Sequence, residues 1–360
     1  MPLTTFIGRE KEILEIVQLI QSARLVTLLG PPGTGKTRLA LEVGRKLALS
    51  SEAVGMFPEG VSFVPLASIR DPDLVGPVIG QTLGVREMPH RSFVESLVDH
   101  LSHRRMLLVL DNFEHVIEGA QLVSQLLASC PHLSVLATSR ELLRLSGEHQ
   151  CVVPPLSVLR GPAPFDDVAR SEAIRLYVER ATAVHSSFRL TDQNAPAVIE
   201  ICLRLDGLPL AIELAAARIR LFPPQAFLGR LSRPLTLLTG GARDLPARQQ
   251  TLRSSIEWSF RLLTKDEQRL FARLSVFSAG WTLDAAELIC AGEGELDVLA
   301  RMASLVEKSL VQQEEMPGDQ PRLNMLETIR QFAEEQLEAG SDEARAVRHR
   351  HAEYYLKIAC

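Results

Sequence analysis

The strongest constraint on the fold is the string GPPGTGKT at Gly30–Thr37, which follows a short apolar run and precedes a helical pattern. It fits G-x-x-x-x-G-K-[ST] without a mismatch. The glycines let the backbone curl so that successive N–H groups point at one anion, and the helix N-terminus adds a favourable dipole. The string therefore predicts a phosphate-binding loop, with Lys36 reaching the terminal phosphates and Thr37 ligating Mg²⁺.

The first half of the chain alternates short apolar runs with helical patterns, as parallel sheets covered by helices on both faces do. The expected strands are 25–29, 61–65, 106–110, 133–137 and 150–153. The expected helices are 36–48, 73–83, 93–102 and 116–129. We therefore predict a five-stranded, three-layer α/β nucleotide-binding domain over residues 1–155.

Beyond the Pro- and Gly-rich segment 154–167, which indicates a domain boundary, the chain is mostly helical. A small helical domain is expected at 165–235, with helices at 169–184, 195–204, 209–220 and 224–231. The segment 233–246 is expected to be a second linker.

A winged helix is expected at 245–326, and a further helical, repeat-like region at 327–360. The helices of the winged helix are predicted at 252–262, 265–275, 283–291 and 295–308. Its strands are predicted at 310–313 and 322–325, around a turn at 316–320. The predicted fold class is α/β: a P-loop NTPase three-layer parallel sheet, then an all-α four-helix domain and a winged-helix domain.

Composition excludes several classes of protein. The 39 basic and 44 acidic residues give a net charge of -5, too mild to steer the chain toward nucleic acid or anionic membranes. The cysteines are odd in number and far apart, which indicates reduced thiols. No apolar run approaches the roughly 18 residues of a membrane span, and no signal peptide is recognisable. A cytoplasmic location is expected, and the uncapped helical pattern at 351–360 is typical of a fragment of a longer chain.

Two residues are expected to join the loop, because the carboxyl ends of parallel strands share one edge of the sheet. Asp111 directly follows the apolar run 106–110, at the position where P-loop proteins have a carboxylate that helps to hold Mg²⁺. The alternative is an aspartate that caps a helix. Arg140 follows the run 133–137 and has the planar fork that suits a γ-phosphate, although a surface arginine is the alternative.

Hydrolysis by such a site is expected to be slow. Asn112 stands where hydrolytic relatives of this fold carry a carboxylate that orients the attacking water. Glu114 and His115 could substitute for it, but a solvated Glu–His pair is the favoured interpretation.

Two further motifs complete a family pattern. Phe6-Ile7-Gly8-Arg9-Glu10 is similar to an N-terminal hhGRE motif, and Gly207-Leu208-Pro209-Leu210 to a GLPL motif. These two motifs, the phosphate loop, Asp111 and Arg140 follow one another in the order found in one family. In this respect the chain resembles the NB-ARC type of signal-transducing P-loop ATPases, which belongs to the STAND class. The resemblance covers nearly the whole chain. Ser255–Ser259 fits the first helix of that family's winged helix.

The resemblance implies a nucleotide, ATP or ADP, held with Mg²⁺ between the P-loop and helical domains. The implied nucleotide-binding residues are Ile7, Arg9, Gly30, Gly33, Thr34, Gly35, Lys36, Thr37, Arg38, Arg140 and Pro209. Lys36, Asp111 and Arg140 are the implied catalytic residues, and Thr37 and Asp111 the implied metal ligands.

The chain departs from the family at the Met-His-Asp motif, whose histidine holds the ADP β-phosphate in the resting state. Met325-Leu326-Glu327 stands there instead, so no imidazole is available, and Leu326–Gln331 fits the LLETIRQ-like variant of bacterial relatives. Arg330 could supply a replacement charge, but a helix-surface arginine is the favoured interpretation.

The resulting hypothesis is a nucleotide-dependent signalling switch that cycles between a closed ADP state and an open, self-associating ATP state, with slow hydrolysis, and that regulates transcription or signalling. Its expected partners are nucleotide, further copies of itself and C-terminal sensor or effector domains missing from this chain, with no membrane. DNA binding is not expected, because the basic residues of the winged helix alternate with acidic ones: Arg253, Lys265, Arg269 and Arg273 against Glu257, Asp266 and Glu267. The alternatives are an AAA+-like ATPase with continuous turnover and a winged-helix DNA-binding regulator.

Overall fold

The computed structural model describes residues 4–49, 55–85, 91–159, 161, 164–231, 238, 251–292, 296–314 and 321–359. The chain divides into two compact units. The first comprises Met1–Gly30 and Gly35–Pro154, and the second comprises Pro31–Thr34 and Pro155–Cys360.

The first unit is built on a five-stranded parallel sheet. Its strands are Leu25–Leu29 (β1), Val61–Pro65 (β2), Met106–Asp111 (β3), Leu133–Thr138 (β4) and Glu148–Val152 (β5). The spatial order is β2-β3-β4-β1-β5, with every pairing parallel. Every residue of β1, β3 and β4 is buried, because helices cover both faces of the inner strands. The predicted α/β sheet is thus confirmed, and β5 begins two residues earlier than expected.

The helices of the first unit supply two apolar layers. They are Glu10–Ser22 (α1), Lys36–Leu49 (α2), Val75–Leu83 (α3), Phe93–Leu101 (α4) and Ala120–Ser129 (α5), with 3-10 turns at Pro72–Leu74, Phe113–His115 and Ile117–Gly119. On α2 the buried residues Leu39, Val43 and Leu47 recur at helical spacing, so one stripe of the helix packs in a core with Val26 and Leu136 of the sheet. The expected helix at 116–129 begins with the 3-10 turn Ile117–Gly119, and α1 had not been singled out from the sequence.

Where the structure describes it, the second unit is helical apart from one hairpin and the bridge that Trp281 adds to it. Its first helices are Phe165–Arg170 (α6), Glu172–Val184 (α7), Ala195–Arg204 (α8), Pro209–Ala216 (α9) with a 3-10 turn at Ala217–Arg220, and Pro224–Leu228 (α10). The expected helix at 169–184 is divided at Ser171 into α6 and α7. Apart from Leu238, the predicted linker 233–246 lies outside the described residues.

A winged helix follows. The elements from residue 252 onward are Leu252–Arg261 (α11), Lys265–Leu274 (α12), Leu283–Cys290 (α13), Val298–Glu307 (α14), Gln312–Glu314 (β6), Arg322–Asn324 (β7), Glu327–Glu338 (α15) and Ser341–Ala359 (α16). Strands β6 and β7 pair antiparallel, and Trp281 adds a bridge to Leu323 through two hydrogen bonds of 2.8 Å. The predicted winged helix is confirmed, while the predicted turn at 316–320 lies outside the described residues.

The start of α15 is held by a residue far away in sequence. The Asp206 carboxylate accepts hydrogen bonds from the N–H of Glu327 at 3.1 Å, the N–H of Thr328 at 2.9 Å and the Thr328 hydroxyl at 2.9 Å. Leu326, which precedes α15, has no side chain that can cap it. Asp206 therefore satisfies amides that a helix leaves open at its first turn.

The chain around Asp206 is tightly confined. Gly207 has a φ of 65°, and a Cβ at this position would lie 2.3 Å from the Leu156 carbonyl oxygen. The Leu156 N–H donates to the Gly207 carbonyl at 2.9 Å. Only glycine accommodates both this backbone conformation and this close approach.

Candidate functional site

The phosphate loop Gly30–Thr37 connects β1 to α2, as the sequence predicts. Its tip, Pro31–Thr34, belongs to the second unit. There the N–H of Leu210 donates to the Gly33 carbonyl at 3.2 Å. Gly33 has a φ of 86°, a conformation that residues with a Cβ adopt only with strain. The loop tip is thus fixed to the segment that carries the GLPL motif.

Lys36 is a buried cation at the start of α2. Its Nζ donates to the Gly30 carbonyl at 2.5 Å, and the residue is 9% exposed. Burial lowers the pKa of Lys36 to about 8, opposed by the nearby Glu114 and Asp111 carboxylates. A desolvated ammonium of this kind is stabilised by additional negative charge, which the phosphates of a nucleotide supply.

Asp111 and Thr37 meet directly at the carboxyl edge of the sheet. The Oδ1 atom of Asp111 accepts hydrogen bonds from the Thr37 hydroxyl at 2.7 Å and the Thr138 hydroxyl at 2.6 Å. The Thr138 hydroxyl in turn accepts from the Asn112 N–H at 2.9 Å. Burial raises the pKa of Asp111, against the effect of the two hydroxyl donors. Thr138 was not among the predicted site residues, although its place at the end of β4 puts it on the same edge.

The donor set of Thr37 and Asp111 fits Mg²⁺. A hydroxyl and a carboxylate are hard oxygen ligands, and Mg²⁺ is commonly bound through one or two carboxylates with water and substrate phosphates completing its shell. Among the residues that the structure describes, no group of three or more His, Cys, Asp or Glu side chains could hold a metal by itself. An ion at this place would therefore also need oxygen ligands from phosphate or water.

Glu114 and Arg140 form a buried ion pair next to Lys36. The distance from Arg140 Nε to Glu114 Oε1 is 3.1 Å, with the two side chains 10% and 1% exposed. The interpretation of Glu114 as half of a solvated pair with His115 is therefore wrong, as is that of Arg140 as a plain surface arginine. Arg140 and Lys36 lower the pKa of Glu114 although burial alone would raise it.

Ile7 and Arg9 lie in the segment that leads into α1. Ile7 is half-buried, whereas Arg9 is buried in the left-handed conformation with a φ of 63°. The Arg9 guanidinium donates to the Pro154 carbonyl at 2.6 Å and to Glu12 at 3.3 Å. Arg9 thus ties the start of the first unit to its end, and its predicted contact with the nucleotide stays a prediction.

Arg38 and Pro209 also have structural contacts of their own. The Arg38 guanidinium donates to the Thr4 hydroxyl at 2.7 Å and to the carbonyls of Thr4 and Thr5 at 2.8 and 3.1 Å. Pro209 is half-buried at the first position of α9, where the fixed φ of proline suits a helix. Both remain predicted nucleotide contacts.

Arg330 is engaged within the second unit. It donates to the two carboxylate oxygens of Glu327 at 2.7 Å each, and to the Ser275 carbonyl at 3.2 Å. Leu326 and Glu327 form the entry to α15, the element that Asp206 caps. The LETIRQ segment thus has a structural role that its sequence did not reveal.

The sheet order, a phosphate loop after β1, and an aspartate at the end of β3 in contact with the loop threonine are the features of a P-loop nucleotide-binding domain. The AAA domain family matches residues 19–151. The winged helix-turn-helix domain family matches residues 263–338. The chain therefore combines an AAA domain with a C-terminal winged helix-turn-helix domain.

Two relatives come from Mycobacterium tuberculosis. An uncharacterised protein is 38% identical over 353 residues, which cover 97% of this chain and 85% of that protein. The chain belongs to the family of that protein. A second relative, with the provisional name HTH-type transcriptional regulator, is 42% identical over 345 residues, covering 95% of this chain. The chain spans only 36% of the length of this second relative.

A solved structure shares the fold. The Walker-type ATPase of Pyrococcus abyssi aligns with 91% of this chain and 95% of its own, with a TM-score of 0.58 and 13% sequence identity. Within the described residues, no helix has the length and apolarity that crossing a membrane requires.

Proposed function

We propose that this chain is a nucleotide-dependent switch of the NB-ARC type within the STAND class, and that it binds ATP or ADP with Mg²⁺ at the loop Gly30–Thr37. The observation that carries the proposal is the direct contact of Thr37 with Asp111 beside the buried Lys36. A hydroxyl, a carboxylate and an ammonium converge at the start of a helix that follows a complete phosphate loop. This is the arrangement that binds the phosphates of a nucleotide and their metal ion.

The residues have separate roles in this proposal. The N–H groups of the loop and Lys36 bind phosphate oxygens, and Thr37 and Asp111 hold Mg²⁺, which neutralises phosphate charge. Arg140 detects the γ-phosphate. Ile7 and Arg9 contact the adenine and ribose, and Pro209 packs on the adenine. The Glu114 partner of Arg140 supports this role, because a guanidinium held at one carboxylate is positioned to respond when a second polyanion arrives.

A series of contacts in the second unit supports the switch. Gly33 at the loop tip bonds the N–H of Leu210, which follows Pro209 at the start of α9. Asp206, four residues earlier, caps α15. In the proposal, ADP favours a closed form and ATP an open, self-associating form, with slow hydrolysis resetting the cycle. The same proposal includes an output that regulates transcription or signalling. It also includes sensor or effector domains outside this chain and a cytoplasmic location.

The test compares nucleotide affinity and mass. Lys36→Ala is expected to weaken ATP and ADP binding by at least about tenfold, because it removes the only side-chain cation of the loop motif itself. Lys46→Ala, at an exposed position of the same helix, is the matched control and is expected to bind as the wild type does. Light scattering is expected to show a larger species with ATP than with ADP. Identical compact monomers with both nucleotides would contradict the switch.

The two rival functions make different predictions. An AAA+-like motor requires continuous turnover, so a steady ATPase rate of several per second or more, within the usual enzyme range, would favour it. A DNA-binding regulator is favoured by the winged helix-turn-helix match at 263–338. The pairing of its arginines with carboxylates favours the switch instead: Arg253 with Glu335, Arg269 and Arg273 with Glu343, and Arg301 with Asp266.

A further inference from the structure

One carboxylate oxygen next to the phosphate loop lacks a hydrogen-bond donor. Glu114 is 5% exposed, and its Oε2 is buried without a hydrogen-bond partner among the residues that the structure describes. Leaving such a group unsatisfied destabilises the folded state, and the more so if the group is charged. Buried polar atoms without protein partners are typically satisfied by water or a ligand. The Oε2 atom therefore indicates a donor outside the described residues, such as a water molecule or a ligand.

The other oxygen of the same carboxylate is fixed. Glu114 Oε1 lies 3.1 Å from Arg140 Nε and accepts a hydrogen bond from Asn112 Nδ2 at 3.4 Å. Asn112 adopts the left-handed conformation with a φ of 63°, so the chain turns sharply after Asp111. The 3-10 turn Phe113–His115 then places Glu114 three residues beyond the predicted metal ligand. Asn112 thus positions the Glu114 carboxylate by holding one of its oxygens.

The charges around Glu114 keep it ionised. Arg140 and Lys36 lower its pKa against the effect of burial, and His115 adds to this. An ionised carboxylate with one fixed oxygen and one open oxygen is a hydrogen-bond acceptor for a water molecule and a base for its proton.

We propose that Glu114 is the carboxylate that orients and deprotonates the attacking water during ATP hydrolysis, in place of the carboxylate that is missing at Asn112. This inference rests on the proposed binding of ATP at the loop. The water oxygen forms a bond to the γ-phosphorus, and the bond from that phosphorus to the β–γ bridging oxygen breaks, its electron pair leaving with ADP. The water proton passes to Glu114 and from there to the phosphate product.

The experiment uses the full chain with Glu114→Gln, which keeps the size of the side chain and one acceptor oxygen for Arg140 but removes its negative charge and its basicity. The ATPase rate is expected to fall by about 10²-fold or more, the typical contribution of a general base. The dissociation constants for ATP and ADP are expected to stay within about threefold of the wild type, because the loop and Lys36 are unchanged. Glu118→Gln, at an exposed position four residues on, is the matched control and is expected to hydrolyse ATP normally.

A readout other than activity accompanies the rate. The nucleotide that copurifies with each variant is released by denaturation and identified by chromatography. A shift from ADP in the wild type to ATP in Glu114→Gln is expected. Glu114→Asp, which keeps the charge but shortens the side chain, is expected to bind both nucleotides and to hydrolyse ATP slowly.

Three outcomes overturn the inference. The first is Glu114→Gln hydrolysing ATP at the wild-type rate. The second is wild-type hydrolysis no faster than that of Lys36→Ala. The third is loss of nucleotide affinity in both Glu114→Gln and Glu114→Asp, which would show that Glu114 only holds Arg140 and the loop in place. Absence of nucleotide binding by the wild type would instead overturn the proposed function itself.

Discussion

Two buried carboxylates show how the surroundings of a residue decide its charge. Asp111 is surrounded by hydroxyl donors, and burial raises its pKa. Burial acts in the same direction on Glu267, but Lys308 at 2.9 Å, the Ser304 hydroxyl and the Thr264 N–H lower its pKa to about 2. The Lys308 ammonium, in direct contact with Glu267, thus helps to outweigh desolvation there, whereas at Asp111 the hydroxyl donors and Lys36 are opposed by burial and by the like charge of Glu114.

Glu267→Gln is expected to destabilise the second unit at pH 7 by roughly 1–3 kcal/mol, because the folded-state pKa lies below the value of 4.5 in the unfolded chain. This stabilisation is present above pH 4.5 and is lost as the pH falls toward about 2. The difference in melting temperature between wild type and variant should therefore shrink from pH 7 to pH 3. Glu287→Gln, at an exposed position on α13, is the control. A difference that does not change with pH would contradict this account.

At the scale of elements, α12 and α15 begin in different ways. Thr264 and Glu267 form a capping box at the start of α12, a pattern visible in the sequence. The start of α15 depends on Asp206, which lies 121 residues before Glu327. A local pattern predicts the first cap, whereas only the tertiary fold supplies the second.

Asp206→Ala is expected to lower the free energy of unfolding by about 1–2 kcal/mol, the usual range for loss of a helix cap. Hydrogen exchange should show the effect first in the opening amides of α15, at Glu327 and Thr328, because these lose their acceptor. Asp206→Asn retains an acceptor oxygen, so its free energy of unfolding should lie between that of the wild type and that of Asp206→Ala. Asp167→Ala, at an exposed position on α6, is the control, and equal protection of α15 in all variants would refute the cap.

For the molecule as a whole, the sequence predicted the sheet, the phosphate loop and the winged helix, because each follows from local periodicity or a contiguous motif. It misjudged Glu114, which is buried in an ion pair with Arg140 from the loop after β4. It missed Thr138 and the role of Asp206, because contacts between distant segments leave no local pattern. The division into four domains and the nucleotide roles of Ile7, Arg9, Arg38 and Pro209 stay predictions.

The chain is expected to bind duplex DNA weakly, without the steep salt dependence of phosphate-tracking proteins. Within the winged helix, α14 precedes the β6–β7 hairpin and carries a single basic residue, Arg301, which pairs with Asp266 at 3.5 Å. Fluorescence anisotropy with a labelled duplex between 50 and 200 mM salt, roughly the range over which such contacts weaken, measures this. Tight binding that falls steeply with salt and is lost in Arg301→Ala would support a DNA-binding regulator instead.

The turn that begins at Asp206 has little freedom to change. Asp206 caps a distant helix, Gly207 faces the Leu156 carbonyl where no side chain fits, Pro209 opens α9, and the Leu210 N–H reaches Gly33. Each of these positions is restrained by a different partner, so no single compensating substitution could relax the turn. In a saturation-mutagenesis library selected for function, this turn should be almost as intolerant as the phosphate loop, while exposed positions such as Asp166 and Asp167 on α6 accept many replacements.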